Sequence, residues 1–158
     1  MAVALYPGTF DPVTLGHVDI VRRGAKLFDR IVCAVGARIE KKTIFTAEER
    51  VALLREAVRD LSNVAVEPFG GLVVDFAREQ GATVLLRGLR NPTDYQYENQ
   101  MALTNRRLAP ELETVFLVAS PEHAFLSSTL IKEVLAAGGA VGDFVPDHVA
   151  RALHGKSG

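Results

Sequence analysis

The sequence contains a single cysteine, Cys33, so no disulfide can form within the chain. Cys33 lies in the apolar run 31–35, which predicts a buried strand thiol rather than a reactive one. The histidines are scattered along the chain without the spacing of zinc ligands: His17, His123, His148 and His154. The sequence therefore predicts neither a disulfide scaffold nor a metal site built from protein side chains.

Long hydrophobic runs and a charge excess are also missing. No stretch approaches the roughly 18 continuous apolar residues of a membrane-spanning helix, and the first residues lack the pattern of a signal peptide. We therefore expect a cytoplasmic protein with no membrane partner. Eighteen basic residues against 19 acidic residues give a net charge of −1, so no overall field attracts nucleic acid. A polyanionic ligand would have to be held by local clusters.

Several common catalytic motifs are absent. The chain has no G-x-x-x-x-G-K-[ST] P-loop, no G-x-G-x-x-G fingerprint and no G-x-S-x-G elbow. The missing fingerprint argues against an oxidoreductase that uses a dinucleotide. The length of 158 residues suits one domain, 1–158, in which 155–158 is expected to be a loose tail.

Apolar runs alternate with amphipathic segments along the chain. The runs predict strands at Ala2–Tyr6, Arg30–Gly36, Val64–Glu67, Thr83–Arg87 and Thr114–Ala119. The amphipathic segments predict helices at His17–Phe28, Ala47–Leu61, Leu72–Gln80, Tyr95–Leu108, Ser128–Ala137 and Asp147–Leu153. Continuously apolar strands are typical of a parallel sheet buried on both faces. The pattern predicts a single doubly wound, Rossmann-like α/β domain with a five-stranded parallel sheet, whose ligands bind beyond the carboxyl ends of the strands.

The loop after the first predicted strand is the most informative segment, 6–17. Gly8 and Gly16 would let the backbone approach a ligand closely or adopt positive φ. Thr9 and His17 place a hydroxyl and an imidazole near the start of the following helix. The free N–H groups of a helix start attract anions, so the segment predicts a phosphate site.

Basic clusters follow two other predicted strands. The loop 38–43 carries Arg38, Lys41 and Lys42, which alone would be read as a solvated surface. Arg87-Gly88-Leu89-Arg90 leaves the sheet at its ligand edge and is followed by 94–98. Planar guanidinium groups match two phosphate oxygens at once, so this segment favours phosphate binding over a surface ion pair.

A run of hydroxyl residues opens the helix after the last predicted strand. Ser127 can be explained as an N-cap, which needs no ligand. Ser128 and Thr129 add hydroxyls beyond what capping requires, and they could donate to phosphate oxygens beside the helix N–H groups. The turn Gly70-Gly71 leads into an apolar helix start, where core packing explains Leu72 and Val74 without any ligand.

Taken in order, these segments resemble the nucleotidyltransferase superfamily. The resemblance rests on G-T-F-D-P-x-T-x-G-H at 8–17, R-G-L-R at 87–90, D-x-x-Y-E at 94–98 and L-S-S-T-x-x-K at 126–132. Most of the superfamily has H-x-G-H, whereas Thr14 takes the place of the first histidine here. The T-x-G-H form matches one branch, the bacterial phosphopantetheine adenylyltransferases. In the last motif Leu126 takes the place of the usual isoleucine, and Lys132 is the residue at the basic position.

The resemblance implies a reaction and its partners. ATP and 4′-phosphopantetheine would give dephospho-coenzyme A and pyrophosphate, a step of coenzyme A biosynthesis. Mg²⁺ would arrive with ATP, because the sequence offers no carboxylate cluster for a metal cage. The resemblance also implies a homohexamer and feedback binding of coenzyme A. Alternatives are a sibling transferase that uses CTP or nicotinamide mononucleotide, and a non-catalytic module that senses a nucleotide or coenzyme A.

Residue roles follow from the resemblance position by position. His17 would stabilise the transition state, and Lys41 would contact the reacting phosphates, with the adjacent Lys42 as the alternative. The acceptor would contact Thr9, Lys41, Val73 and Arg87. ATP would contact Thr9, Phe10, His17, Gly88, Leu89, Arg90, Glu98, His123, Ala124, Phe125, Leu126, Ser127, Ser128 and Thr129.

Overall fold

Strands and helices alternate in the computed structural model, which describes residues 1–37 and 42–157. The strands are β1 Val3–Gly8, β2 Arg30–Gly36, β3 Val64–Phe69, β4 Val84–Leu89 and β5 Glu113–Val118. The helices are α1 Leu15–Leu27, α2 Ala47–Ala57, α3 Val73–Glu79, α4 Pro92–Leu108, α5 Ser128–Ala136 and α6 Asp147–Ser157. A short 3₁₀ turn covers Pro121–His123.

All five strands form one parallel sheet in the order β3-β2-β1-β4-β5. The chain builds outward from β1 to β3, then returns to the other side of β1 with β4. This reversal makes the crevice between β1 and β4 the topological switch point, where ligands of such sheets bind. The predicted five-stranded parallel α/β fold is confirmed.

The sheet is buried on both faces because alternate side chains of the inner strands enter different cores. Ala4 and Tyr6 of β1 pack with residues from α1, α2, α5 and α6. Val3 and Leu5 of the same strand pack with residues from α3 and the segment that follows α4. Cys33 of β2 is fully buried, and burial raises the pKa of its thiol to about 12. The thiol therefore stays protonated and serves as packing, as predicted.

Several helix boundaries differ from those that the hydrophobic pattern predicts. Two of the helices begin earlier because a capping side chain precedes them. Helix α1 begins at Leu15 rather than at His17 because Thr14 is its N-cap. Helix α4 begins at Pro92 rather than at Tyr95 because the Asn91 side chain accepts from the backbone of Asp94. Helix α2 ends at Ala57, short of the predicted Leu61.

The prediction of a loose tail at 155–158 is wrong for residues 155–157. Helix α6 continues to Ser157, so residues 155–157 are helical. Lys156 Nζ lies 3.1 Å from Glu49 Oε1 and 5.7 Å from the centroid of the Phe45 ring. These contacts with α2 and with the segment just before it hold the end of the helix in place. Within residues 1–37 and 42–157, no helix combines the length and apolar character needed to cross a membrane.

Candidate active site

Two adjoining cavities open at the carboxyl edge of the sheet. The α3/α4 cavity, with a volume of about 370 Å³, is lined by Gly36, Phe69, Val73, Tyr97, Met101 and Asn105 among others. The α1/α5 cavity, with a volume of about 460 Å³, is lined by His17, Gly88, Arg90, Ser127, Ser128 and Thr129 among others. Both cavities share the residues Pro7, Gly8, Thr9, Arg87 and Glu98. Two molecules bound one in each cavity would meet at the ends of β1 and β4.

Arg87 is the cation among the residues that the two cavities share. Its Nε lies 2.8 Å from Glu98 Oε2, and its Nη2 lies 2.6 Å from Glu98 Oε1. Its Nη1 donates to the carbonyl of Pro7. The Glu98 side chain is only 8% exposed, so the carboxylate is committed to Arg87. This pair fixes the guanidinium plane, while N–H groups of Nη1 and Nη2 beyond those used here stay available for an anion.

His17 is held by a capping box at the start of α1. The Thr14 backbone N–H donates to His17 Nδ1 at 3.0 Å, and the His17 N–H donates to Thr14 Oγ1 at 3.3 Å. Burial, together with the charges of Arg87 and Arg90, lowers the pKa of His17 to about 4. The ring is therefore neutral near pH 7, and because Nδ1 is an acceptor its proton lies on Nε2. His17 can offer a neutral N–H donor to a ligand in the α1/α5 cavity.

Phe10 supports the same imidazole from the loop. The two rings pack edge to face, with centroids 5.0 Å apart. Phe10 has a φ of +52°, a left-handed conformation that is uncommon for a bulky residue. A β-carbon on Gly8 would lie 3.0 Å from the Phe10 ring, so the glycine is needed here for close packing. The loop thus holds Phe10 in an unfavourable conformation that places its ring against His17.

Arg90 connects the end of β4 with the start of α5. Its Nε lies 2.8 Å from Asp94 Oδ2, and its Nη1 lies 2.7 Å from the Leu126 carbonyl. The side-chain hydrogen bonds to Asp94 raise the pKa of Arg90, which stays charged at any physiological pH. Arg90 therefore provides a permanent positive charge in the α1/α5 cavity, beside the hydroxyl residues of α5.

The first turn of α5 lines the cavity with hydroxyl groups. Ser127 is the N-cap, because its Oγ accepts from Leu130 N at 3.0 Å, which confirms the capping prediction. Ser128 Oγ donates to the Pro12 carbonyl at 2.9 Å, so its own proton is used within the protein. Thr129 lies beside them and is exposed. The backbone N–H groups of this turn give the cavity a positive helix terminus.

The electrostatic balance of the α1/α5 cavity favours phosphate groups more than a resident metal. Its two carboxylates, Asp94 and Glu98, are each paired with an arginine. Across the part of the chain that the structure describes, no group of three or more His, Cys, Asp or Glu side chains could hold a metal ion. Positive potential in the cavity comes from the arginines and from the amino termini of α1 and α5.

Most of the predicted site residues lie together around these two cavities. Val73 lines the α3/α4 cavity, and Thr9, Arg87 and Glu98 line both. The other predicted residues that line the α1/α5 cavity are Phe10, His17, Gly88, Arg90, His123, Leu126, Ser127, Ser128 and Thr129. Leu89, Ala124 and Phe125 are outside the lining of that cavity, and Phe125 packs edge to face on Phe144, with centroids 5.7 Å apart. Lys41 lies outside the described residues, whereas Lys42 is described and exposed.

Sequence reasoning missed several residues of the site. Tyr97, Met101 and Asn105 form one side of the α3/α4 cavity from α4. Their helical spacing of four residues could have identified them as one face, but nothing in the sequence indicated that this face borders a cavity. Asp11 and Arg50 are both buried, and they form hydrogen bonds with backbone groups of the loops around the site.

Comparisons with known proteins show the family of this chain. Residues 5–134 match the family model described as cytidylyltransferase-like. The chain is 48% identical to the phosphopantetheine adenylyltransferase of Caldanaerobacter subterraneus subsp. tengcongensis, over 99% of this chain and 98% of that relative. It is 55% identical to the phosphopantetheine adenylyltransferase of Gloeobacter violaceus, over 96% of this chain and 94% of that relative.

A solved structure shares the fold at much lower identity. A bifunctional NMN adenylyltransferase/ADP ribose pyrophosphatase from Francisella tularensis matches with a TM-score of 0.76 and 13% identity, over 98% of this chain and 49% of that chain. This likeness shows the fold alone, and the chain spans about half of that protein. The family model and the full-length relatives go further: the chain belongs to the cytidylyltransferase-like family and, within it, to the phosphopantetheine adenylyltransferases.

Proposed function

We propose that this protein transfers the adenylyl group of ATP to 4′-phosphopantetheine, giving dephospho-coenzyme A and pyrophosphate. The observation that carries the proposal is the pair of cavities that meet at Thr9 and Arg87. A transfer between two substrates needs two adjoining sites with a shared, cationic boundary. The full-length relatives named phosphopantetheine adenylyltransferase support the choice of substrates.

The α3/α4 cavity suits the acceptor. Its wall combines apolar side chains, Phe69, Val73 and Met101, with the polar groups of Tyr97 and Asn105. A pantetheine arm is a flexible chain with amide groups, so it needs both kinds of contact. Its phosphate would lie at the junction, held by Thr9, Arg87 and Lys41.

The α1/α5 cavity suits ATP. The α-phosphate would lie near His17 at the junction, and the β- and γ-phosphates would contact Arg90, Thr129 and, because its hydroxyl proton is used by Pro12, the backbone N–H of Ser128. Mg²⁺ would bind with the triphosphate and offset part of its charge. Because the carboxylates of this cavity are committed to arginines, the phosphate oxygens rather than the protein would supply most of its ligands.

The proposed chemistry is a direct displacement. An oxygen of the acceptor phosphate forms a bond to the α-phosphorus, and the bond from that phosphorus to the bridging oxygen of pyrophosphate breaks. The attacking oxygen is already anionic, so neither a serine nucleophile nor a general base is required. The protein would contribute alignment, and His17 Nε2–H would stabilise charge on the α-phosphate oxygens.

Three wider expectations belong to this proposal: a homohexamer, feedback binding of coenzyme A and a cytoplasmic location. Assembly is supported by exposed apolar side chains on α4 and β5: Tyr95, Met101, Leu103, Leu108 and Val118. Feedback is supported by chemistry, since coenzyme A carries the same pantetheine arm as the acceptor. The number of subunits and the location rest on the resemblance.

Pyrophosphate release tests the proposal. Purified protein would be given Mg²⁺-ATP with 4′-phosphopantetheine, and parallel reactions would replace ATP with CTP or the acceptor with nicotinamide mononucleotide. We expect release in the first reaction only, with dephospho-coenzyme A identified by its mass. Release with another pair would overturn the substrates but keep the chemistry. Binding of ATP or coenzyme A without release in any reaction would instead favour a sensing module.

A further inference from the structure

Arg50 of α2 is a buried cation that the proposed reaction does not use directly. It is 2% exposed and heads the largest fully buried side chains of the described residues. Burial lowers the pKa of its guanidinium, while the charge of Asp11 opposes that shift. Burying an arginine costs free energy unless its N–H groups find good partners. The contacts of Arg50 must therefore compensate for burying a charged side chain on the apolar face of α2.

Three carbonyl oxygens accept hydrogen bonds from Arg50, and they belong to separate segments. Nη1 lies 2.8 Å from the Thr9 carbonyl and 2.7 Å from the Gly36 carbonyl. Nε lies 3.2 Å from the Phe45 carbonyl. Thr9 borders both cavities and Gly36 lines the α3/α4 cavity. One planar guanidinium therefore joins the ends of β1 and β2 to the segment that precedes α2.

Asp11 completes this arrangement from the other side of Phe45. Its buried carboxylate accepts from Ile44 N at 2.9 Å and from Phe45 N at 3.0 Å. It also pairs with Lys132 Nζ of α5 at 3.0 Å. The Phe45 residue is thus held at its N–H by Asp11 and at its carbonyl by Arg50. The loop after β1, the segment before α2 and helix α5 form one connected unit.

We infer that Arg50 is a positioning residue for adenylyl transfer, which aligns the acceptor phosphate against the α-phosphorus without touching either. It acts through the Thr9 backbone, which lies where the two cavities meet, and through the Gly36 backbone, which lines the α3/α4 cavity. The inference rests on the proposed function. A misplacement of about 1 Å at a reacting centre can cost on the order of 100-fold in rate, so a displaced loop would lower kcat strongly.

Arg50→Lys is the principal test, since it keeps the charge but a single ammonium cannot span three carbonyls on separate segments. We expect kcat at saturation with both substrates to fall by roughly 10- to 100-fold, as misalignment would produce. The dissociation constant for ATP should change by less than about threefold, because the ATP contacts proposed on α5 and Arg90 are not bonded to Arg50. Arg55→Lys is the matched control: the same change on the same helix, at a side chain that bonds the Val66 carbonyl away from both cavities.

Chemical rescue separates positioning from general stability. In Arg50→Ala, added guanidinium at a low, non-denaturing concentration should restore part of kcat, whereas methylammonium should not. If neither Arg50 variant folds, Asp11→Asn provides the second test, since it weakens the same unit while leaving Arg50 in place. It should also lower kcat at saturation with both substrates, which is the quantity to compare because Asp11 pairs with Lys132 of α5 and its loss can alter ATP binding as well.

The outcomes are distinct. A folded Arg50→Lys protein with wild-type kcat would overturn the positioning role while leaving the proposed function intact. The positioning role would also be overturned if kcat fell only in proportion to ATP binding, or if the activity of Arg50→Ala stayed unchanged with guanidinium. Absence of turnover in the wild-type protein would contradict the proposed function itself.

Discussion

His17 is defined as much by its neighbours as by its own chemistry. The Thr14 backbone N–H occupies Nδ1, and Phe10 packs against the ring. Burial and the nearby charges of Arg87 and Arg90 keep the imidazole neutral. In the proposed reaction His17 therefore donates a hydrogen bond from Nε2 and transfers no proton.

Replacing His17 tests this role. We expect His17→Ala to lower kcat by about 100-fold or more, because an oriented donor to a developing charge is lost. KM for ATP should change less, since the contact strengthens mainly in the transition state. His148→Ala is a suitable control, because His148 contacts the Leu53 carbonyl outside both cavities. A folded His17→Ala protein with nearly wild-type kcat would refute the assignment.

The lowered pKa of His17 leads to a prediction about pH. A group that loses its proton near pH 4 stays neutral over the physiological range, so His17 adds no titration there. The acceptor phosphate does titrate, at a pKa of about 6, and would shape the profile of any variant. The informative quantity is therefore the ratio of kcat for wild type to kcat for His17→Asn. We expect a constant ratio between about pH 5.5 and 8; a change centred near the ordinary histidine pKa of about 6.5 would contradict the neutral state.

At the scale of elements, hydrophobic pattern predicted which segments form strands and helices, and capping decided where they begin. Apolar runs located all five strands, and the signal is strongest for β1 and β2, which are buried on both faces and have few polar positions. Thr14 and Asn91 start α1 and α4 earlier than the pattern suggested, since a cap depends on single side chains. Glycines also mark helix ends: Gly81, with a φ of +69°, follows α3, and Gly138, with a φ of +81°, follows α5.

Contacts between distant segments could not be predicted in the same way. Arg50 lies on the buried face of α2 with Val51 and Leu54. Its position four residues before Leu54 indicates, from the sequence alone, an arginine on an apolar helix face. Its acceptors, however, come from loops far apart in sequence, and no local pattern connects them. The motifs predicted the residues that line the cavities better than those that hold the lining in place.

The capping box of α2 gives a prediction at this scale. Thr46 Oγ1 accepts from Glu49 N at 3.1 Å, and Thr46 N donates to Glu49 Oε1 at 3.0 Å. Thr46→Ala should lower the free energy of unfolding by about 1 kcal/mol, seen as a Tm lower by a few degrees at equal protein concentration. Thr104→Ala makes the same change within α4, where no cap is lost. Equal Tm values for the two variants would show that the cap contributes nothing.

For the whole molecule, a chain with a net charge of −1 would bind the two phosphorylated substrates of the proposed reaction through cations placed locally at one edge of the sheet. Arg87 and Arg90 leave one strand at the switch point, and two helix termini face the same cavity. The sequence placed these groups at one edge of the sheet because parallel strands end together. The division of that edge into two cavities depends on how α3 and α4 pack, which the sequence did not reveal.

The central claim is a single direct transfer across the junction between those cavities. The stereochemical course at the α-phosphorus tests it most directly, using an α-thio analogue of ATP with known configuration and 4′-phosphopantetheine as acceptor. One in-line displacement inverts the configuration, so we expect inversion in the dephospho-coenzyme A product. Retention would require two displacements through an adenylylated side chain and would contradict the account.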